Sequence, residues 1–146
     1  MRISFTVPGP PVAKGRPRIG TIGGKARAFT PAKTVAFEGL VAHEGQAVMA
    51  GRAPLEGPLR LTVVAVFAIP ASWSKKRKAE AHYHTGRPDA DNLGKAIGDG
   101  LNAVCWIDDS QIAEMVIRKR YGSPARTCVI VETIGTPPVD QSDKLL

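Results

Sequence analysis

The chain has 146 residues, 43% of them apolar, which suits one domain with its own hydrophobic core. Twenty Lys and Arg against thirteen Asp and Glu leave a net charge of +7, a balance that draws a protein toward polyanions, above all nucleic acid. Composition excludes a disordered chain, and the two cysteines, Cys105 and Cys128, exclude a disulfide framework or a CxxC zinc site. Both cysteines lie in apolar runs and read as buried thiols of a cytoplasmic protein. MRISFTVPG is too short in its apolar part for a signal peptide, and LTVVAVFAIP is too short to span a bilayer. Charge alone leaves the partner open, because many small basic proteins never bind nucleic acid.

RISFTV, residues 2–7, alternates polar and apolar and predicts a strand. Residues 8–27 are rich in Pro, Gly and basic side chains and are expected to form a loop. Lys14, Arg16, Arg18, Lys25 and Arg27, with no acid among them, suggest that this loop is a cationic arm for phosphates. Thr30 before Pro31 reads as an N-cap followed by Pro at the first helical position. The helix that follows should run to Gly51 and present Val35, Leu40, Val41 and Val48. Residues 59–70 predict a buried strand rich in β-branched side chains. Residues 72–87 are basic and polar and predict a short helix, then a loop. Residues 112–122 and 126–135 read as two strands joined through Gly122, Ser123 and Pro124 as a hairpin. The expected architecture is α+β, a single domain over residues 1–135 with one mixed β-sheet and helices packed on it. Residues 136–146 are expected to be a flexible tail.

Five aspartates fall between residues 88 and 112, an acidic concentration inside a basic chain. Pro88 makes a helix boundary, and a helix is expected from Asp89–Asp91 to about Val104. At about 100° per residue, Leu93, Ala96, Ile97, Leu101 and Val104 share one side, and Asp91, Lys95, Asp99 and Asn102 the other. Asp89 and Asp91, two apart in an extended lead-in, point the same way. A turn after the helix could return Asp108 or Asp109 to them. Each feature also has an ordinary structural explanation. An Asp at a helix start is commonly a cap, and Asp91 with Lys95 makes an ordinary i, i+4 ion pair. Asp108 and Asp109 could simply form a polar turn. Several carboxylates near one Lys in a basic chain nonetheless fit a hard-cation site for Mg²⁺ or Mn²⁺, because no Cys/His ligand set competes. His82 and His84, in a polar loop, read as surface residues or phosphate contacts, and Trp73 and Trp106 as core or interface anchors.

The motif DADNLGKAIGD (89–99) followed by WIDDSQ (106–111) resembles the RusA family of Holliday-junction resolvases. VPGPPVAKGRPR, FTPAKTVAFE and the late Lys119-Arg120-Tyr121 resemble its phage and prophage members, and the likeness reaches to about residue 134. The resemblance implies a small homodimer that cuts four-way DNA junctions with Mg²⁺, in recombination and repair. It implies Asp89, Asp91 and Asp109 as metal-binding catalytic acids and Lys95 as the essential lysine. Asn92, Asp99, Asp108 and Gln111 match the motif in supporting positions. Lys14, Arg16, Arg18, Lys25, Arg27, Lys75, Lys76, Arg87 and Lys119 are the candidates for the DNA path, with Arg77 and Lys78 beside them. Gly94 and Gly98 sit inside the motif helix, each at a cost of up to about 1 kcal/mol relative to Ala. They read as close-packing sites, with a dimer partner as one candidate neighbour. Two rivals remain at this level. One is a metal-dependent hydrolase of nucleotides, flaps or other branched DNA. The other is a DNA-binding protein whose aspartates are structural.

Overall fold

The computed structural model describes residues 1–15 and 18–136 and, for Arg18 and Phe29, the backbone only. The elements run β1 (Arg2–Pro8), β2 (Arg18–Ile22), β3 (Lys25–Phe29), α1 (Ala32–Met49), β4 (Leu59–Phe67), α2 (Lys75–Ala79), α3 (Ala90–Leu101), β5 (Ile112–Tyr121) and β6 (Arg126–Thr133). A single 3-10 turn, Asp109–Gln111, leads into β5. Four strands make one mixed sheet in the order β1-β6-β4-β5, and β2 with β3 forms a separate two-stranded ribbon. This is the predicted α+β domain with one mixed sheet.

The sequence of β4 explains its central place. LRLTVVAVF is apolar on both faces, so it is stable only with neighbours on both edges. It pairs parallel with β5 and antiparallel with β6. Leu59, Leu61, Val63 and Ala65 are fully buried on one face. With Ile3, Val7, Val129 and Val131 from the neighbouring strands they form the core floor. Helix α1 lays Phe37, Val41 and Met49 on that floor, and α3 adds Ala96, Ile97 and Leu101. Trp106, just after α3, is fully buried in the same cluster.

Several predicted boundaries and pairings change. The hairpin expected at Gly122-Ser123-Pro124 does not form, because β4 lies between β5 and β6. The turn chemistry marks where the chain reverses but not which strand it joins. The apolar demand of β4 outweighs the short connection. The loop expected over residues 8–27 contains structure: β2 and part of β3 form a ribbon around Gly23 and Gly24, at φ 59° and 79°. Two successive glycines with positive φ are the signature of a tight hairpin turn, and the surrounding cations masked it. Helix α1 begins one residue later than predicted, with Pro31 at the cap position and Ala32 first in the helix. Its buried stripe is Thr34, Phe37, Val41, Gly45 and Met49. Val35 and Leu40, expected on the core side, are 55% and 46% exposed. The central strand ends at Phe67 rather than residue 70, β6 at Thr133 rather than 135, and α3 at Leu101 rather than Val104. The short helix expected after residue 72 is present as α2. Residues 137–146, which hold nearly all the expected flexible tail, lie outside the described residues.

Helices α1 and α3 approach each other through glycine. A Cβ on Gly100 would stand 2.9 Å from Val41 Cγ1 and 3.1 Å from the Glu38 carbonyl oxygen. Backbone cannot move aside as a side-chain end can. Gly100→Ala is therefore expected to lower unfolding stability by about 1–2 kcal/mol, overpacking outweighing the helix propensity it adds. Gly39→Ala, with no atom within 4 Å of the added carbon, should instead raise stability by up to about 1 kcal/mol. Urea unfolding of both variants measures the contrast.

Candidate active site

Helix α3 sorts the acidic motif by face, as the periodicity predicts. Leu93, Gly94, Ala96, Ile97, Gly98, Gly100 and Leu101 are buried, while Asp91, Lys95 and Asp99 are exposed on the other side. Asp89 holds the N-cap position in extended backbone, yet its side chain makes no capping hydrogen bond. The expected ion pair between Asp91 and Lys95 is not made among the described residues. The ion pairs there are Lys14 with Glu38 and Asp99, and Arg60 with Glu114 and Glu132. Asp89, Asp91 and Lys95 thus carry neither of the structural duties that the sequence left open to them.

The second half of the motif divides into supports and one presented acid. Asp108 and Gln111 form a capping box around the 3-10 turn. Gln111 Oε1 accepts from the backbone N–H of Ile107 and Asp108 at 2.8 and 3.1 Å. Its Nε2 donates to the carbonyls of Leu55 and Gly57. Trp106, anchored in the core, donates its indole N–H to Asp109 Oδ1 at 2.6 Å. The turn therefore aims Asp109 back at α3. A Cβ on Gly98 would lie 3.9 Å from Asp109 Oδ2, ordinary contact distance, so the carboxylate sits directly over this turn of the helix. Asp109 meets α3 about two turns, roughly 10 Å, beyond Asp91. Lys95, Asp99 and Asp109 line one cleft of about 360 Å³ with Gly94, Gly98, Ile112, Ala113 and Met115. Asp89 and Asn92 line another, of about 830 Å³, with Ala13, Lys14, Gly15, Arg87 and Pro88. Among the described residues no group of three or more His, Cys, Asp or Glu is gathered as a ready-made metal cage. The turn after α3 does return an acid to the helix, but not to its start.

Gly94 is a close-packing site within the chain: its added Cβ would stand 2.7 Å from Met115 Sδ and 3.2 Å from Ile117 Cδ1. The start of the arm is docked rather than loose. Lys14 donates its backbone N–H to the Asn92 carbonyl at 3.0 Å, and Gly15 donates to Thr34 Oγ1 at 3.1 Å. The Lys14 ammonium lies 2.8 Å from Glu38 and 3.0 Å from Asp99. Glu38 above all, then Asp99, raises its pKa against the lowering effect of burial. Its charge is committed to two carboxylates. Lys25, Arg27, Lys75, Lys76 and Arg87 are exposed. Lys119 is partly covered and donates to the Gly86 carbonyl at 2.6 Å. Arg16 lies outside the described residues, as does the side chain of Arg18.

His84 is more than a surface residue. Its ring stacks on Phe67 at 3.8 Å, and Tyr121 lies tilted against it at 5.2 Å. Sequence reasoning missed this because the packing partners come from β4 and β5. Trp73 is half-buried, edge-on to Tyr121, with the Arg77 guanidinium 3.7 Å above its ring.

In architecture this is a basic α+β domain with an acidic helix start and a presented aspartate beyond it. The family model for endodeoxyribonuclease RusA matches residues 8–132, and the chain belongs to that family of nucleases acting on branched DNA. It is also similar to the uncharacterized protein YqaN of Bacillus subtilis (strain 168), with 34% identity over 143 residues that cover 90% of this chain and 96% of that protein. No helix among the described residues is long and apolar enough to cross a membrane.

Burial first, then the nearby Lys119, lowers the pKa of His84 from its ordinary value of 6.5. The unfolded chain then binds the proton more readily than the fold. The resulting stability is full above the unfolded value and is lost as pH falls through the folded one. By calorimetry the thermal midpoint is expected to drop as pH falls below the ordinary histidine value of 6.5, and to drop less in His84→Phe.

Proposed function

We propose that the protein is an Mg²⁺-dependent endonuclease that resolves four-way DNA junctions by paired, symmetric phosphodiester hydrolysis, acting as a cytoplasmic homodimer. The observation that carries this reading is the exposed stripe of α3. Among the described residues Asp89, Asp91 and Lys95 make no ion pair there, while Lys14, Asp99, Asp108 and Gln111 nearby are all engaged. Carboxylates left unpaired at a helix start, inside a cationic protein, suit a hard cation and a phosphate. Mg²⁺ takes one or two carboxylates and fills its remaining positions with water and substrate oxygens, so it needs no three-acid cage. Mn²⁺ suits the same donors.

Asp89 and Asp91 are the residues that would hold the ion, with Asp109 completing the acid set from the neighbouring cleft. When bound, Mg²⁺ supplies Lewis-acid polarisation of the phosphate and lowers the pKa of water. Lys95, one turn beyond Asp91 on the same stripe, stabilises the negative charge that grows on the phosphate oxygens. Trp106 fixes the orientation of Asp109 through its indole N–H. Exposed Lys25, Arg27, Lys75, Lys76 and Arg87 contact the sugar-phosphate backbone, with Arg16, Arg18 and Lys119 along the same path. Lys14 contributes by holding the arm on α3 and by neutralising Asp99. Two identical sites related by a two-fold axis match the symmetry of a four-way junction and account for paired nicks.

The test incubates purified protein with a labelled synthetic four-way junction and with a linear duplex of the same sequence, with and without Mg²⁺. Symmetric nicks confined to the junction and dependent on Mg²⁺ are expected. Asp91→Asn should abolish cutting while junction binding survives, and Lys95→Ala should slow cutting by about 10²–10³-fold. Binding without cutting in any divalent metal would instead identify a non-catalytic DNA-binding protein. Equal cutting of the duplex, or preferential cutting of flaps, would retain the nuclease and remove the junction specificity.

A further inference from the structure

Upstream of Asp89, the chain pairs with an edge strand. The backbone N–H of His84 donates to the Lys119 carbonyl at 3.1 Å, and that of Tyr121 donates to the His82 carbonyl at 3.0 Å. These two bonds bracket an antiparallel bridge between Tyr83 and Arg120. The bracketed residues are a non-hydrogen-bonded pair, the closer kind, with side chains about 4.5–5.5 Å apart at Cβ on one face of the sheet. The ring of Tyr83 and the guanidinium of Arg120 are therefore neighbours by construction. Both are exposed, Tyr83 by 72%, and with His82 and Tyr121 they line an open cleft of about 380 Å³.

Among the exposed large apolar side chains of the described residues, Tyr83 is the one aromatic. The other aromatics nearby already have ring partners. Arg77 covers Trp73, and His84 lies against both Phe67 and Tyr121. The bond from Tyr121 to the His82 carbonyl before it, and the stacked His84 ring and the bond from Lys119 to the Gly86 carbonyl after it, hold the segment, so the exposed ring stands on an anchored backbone. Arg118 lies two residues from Arg120 and is exposed on the same face, and Lys75, Lys76, Arg77 and Lys78 add charge of the same sign. A rigid aromatic face beside guanidinium groups is the chemistry that takes an unpaired nucleobase. The ring stacks on the base, while the cations take the adjoining phosphates.

We propose that Tyr83 and Arg120 form a stacking platform for one unpaired nucleobase of a branched DNA. The proposal rests on the reading above that branched DNA is the substrate. Tyr83 precedes Asp89 by six residues, which sets an upper limit of roughly 20 Å between them, about six base-pair steps. Bases open at a branch point, not in continuous duplex, so a platform within that reach of the scissile phosphate ties cutting to branches.

The test uses a four-way junction assembled from synthetic oligonucleotides with 2-aminopurine at the exchange point, in EDTA so that nothing is cut. The wild type is compared with Tyr83→Phe and Tyr83→Ala, with circular dichroism to verify folding and the matched linear duplex as control. Wild type and Tyr83→Phe should alter 2-aminopurine fluorescence alike. Tyr83→Ala should lose that change and bind the junction about tenfold more weakly, while duplex binding stays nearly constant. Junction affinity and fluorescence unchanged in Tyr83→Ala, with the wild type preferring the junction, would overturn the platform alone. So would an equal loss on junction and duplex. A wild type that does not distinguish junction from duplex would overturn the branched-DNA reading and the platform with it.

Discussion

Helix α3 lies close against its neighbours through glycine, and the facing of its charged residues depends on that constraint. Gly100 admits the backbone of α1, Gly94 admits Met115 and Ile117, and Gly98 faces Asp109. A side chain at Gly100 or Gly94 would have to displace these neighbours, whereas a methyl at Gly98 would meet Asp109 at ordinary contact distance. With the apolar side held against the sheet, Asp91 and Lys95 turn outward, and Asp99 turns toward Lys14. Each glycine weakens the isolated helix, and tertiary packing has to make up the difference. The result is a row of charged groups whose bearing is set by contacts on the opposite side of the helix.

The distribution of charge around that row follows a division of labour. A basic chain ordinarily neutralises its acids internally, and part of this one does. Lys14 occupies Asp99 and Glu38, and Arg60 occupies Glu114 and Glu132. Asp108 is spent on a capping box, and Gln111 ties that turn to the backbone at Leu55 and Gly57. These supporting residues hold the positions from which Asp89, Asp91, Lys95 and Asp109 are presented. Membership of the RusA endodeoxyribonuclease family gives that presentation a chemical context. The motif is therefore two kinds of residue interleaved, and spacing alone does not separate them.

Much of this was legible in the sequence because it is local. The apolar stripe of α3 follows from Leu93, Ala96, Ile97 and Leu101 at helical spacing, and the core strand from the β-branched run at 59–67. What stayed hidden involves partners far apart in the chain. Nothing in the run after Tyr121 reveals that β6 pairs with β4 instead of β5. Nothing around Lys14 reveals that Glu38 and Asp99 will claim it. His84 looks like a loop residue until Phe67 and Tyr121 are brought beneath and beside it. The ribbon at Gly23 and Gly24 was visible in principle, but five cations in a Pro- and Gly-rich stretch read more strongly as an arm. On α1, hydropathy assigns Val35 and Leu40 to the core, whereas Thr34 and Gly45 are buried because they fit.

The strand order carries a consequence for how the chain comes into being. Within the main sheet every pairing joins segments far apart in the chain: Arg2 meets Glu132, Leu59 meets Thr133, and Leu59 also meets Ile112. As the polypeptide leaves the ribosome, β1 has no sheet partner until β6 is made, and β4 waits for both of its flanks. Ladders of such long range close slowly, since the entropy of large loops is lost before contacts repay it. During synthesis the pairing edges of β1 and β4 that β6 will fill remain open until the last strand arrives, and this interval is when the nascent protein is most open to sticking to other chains.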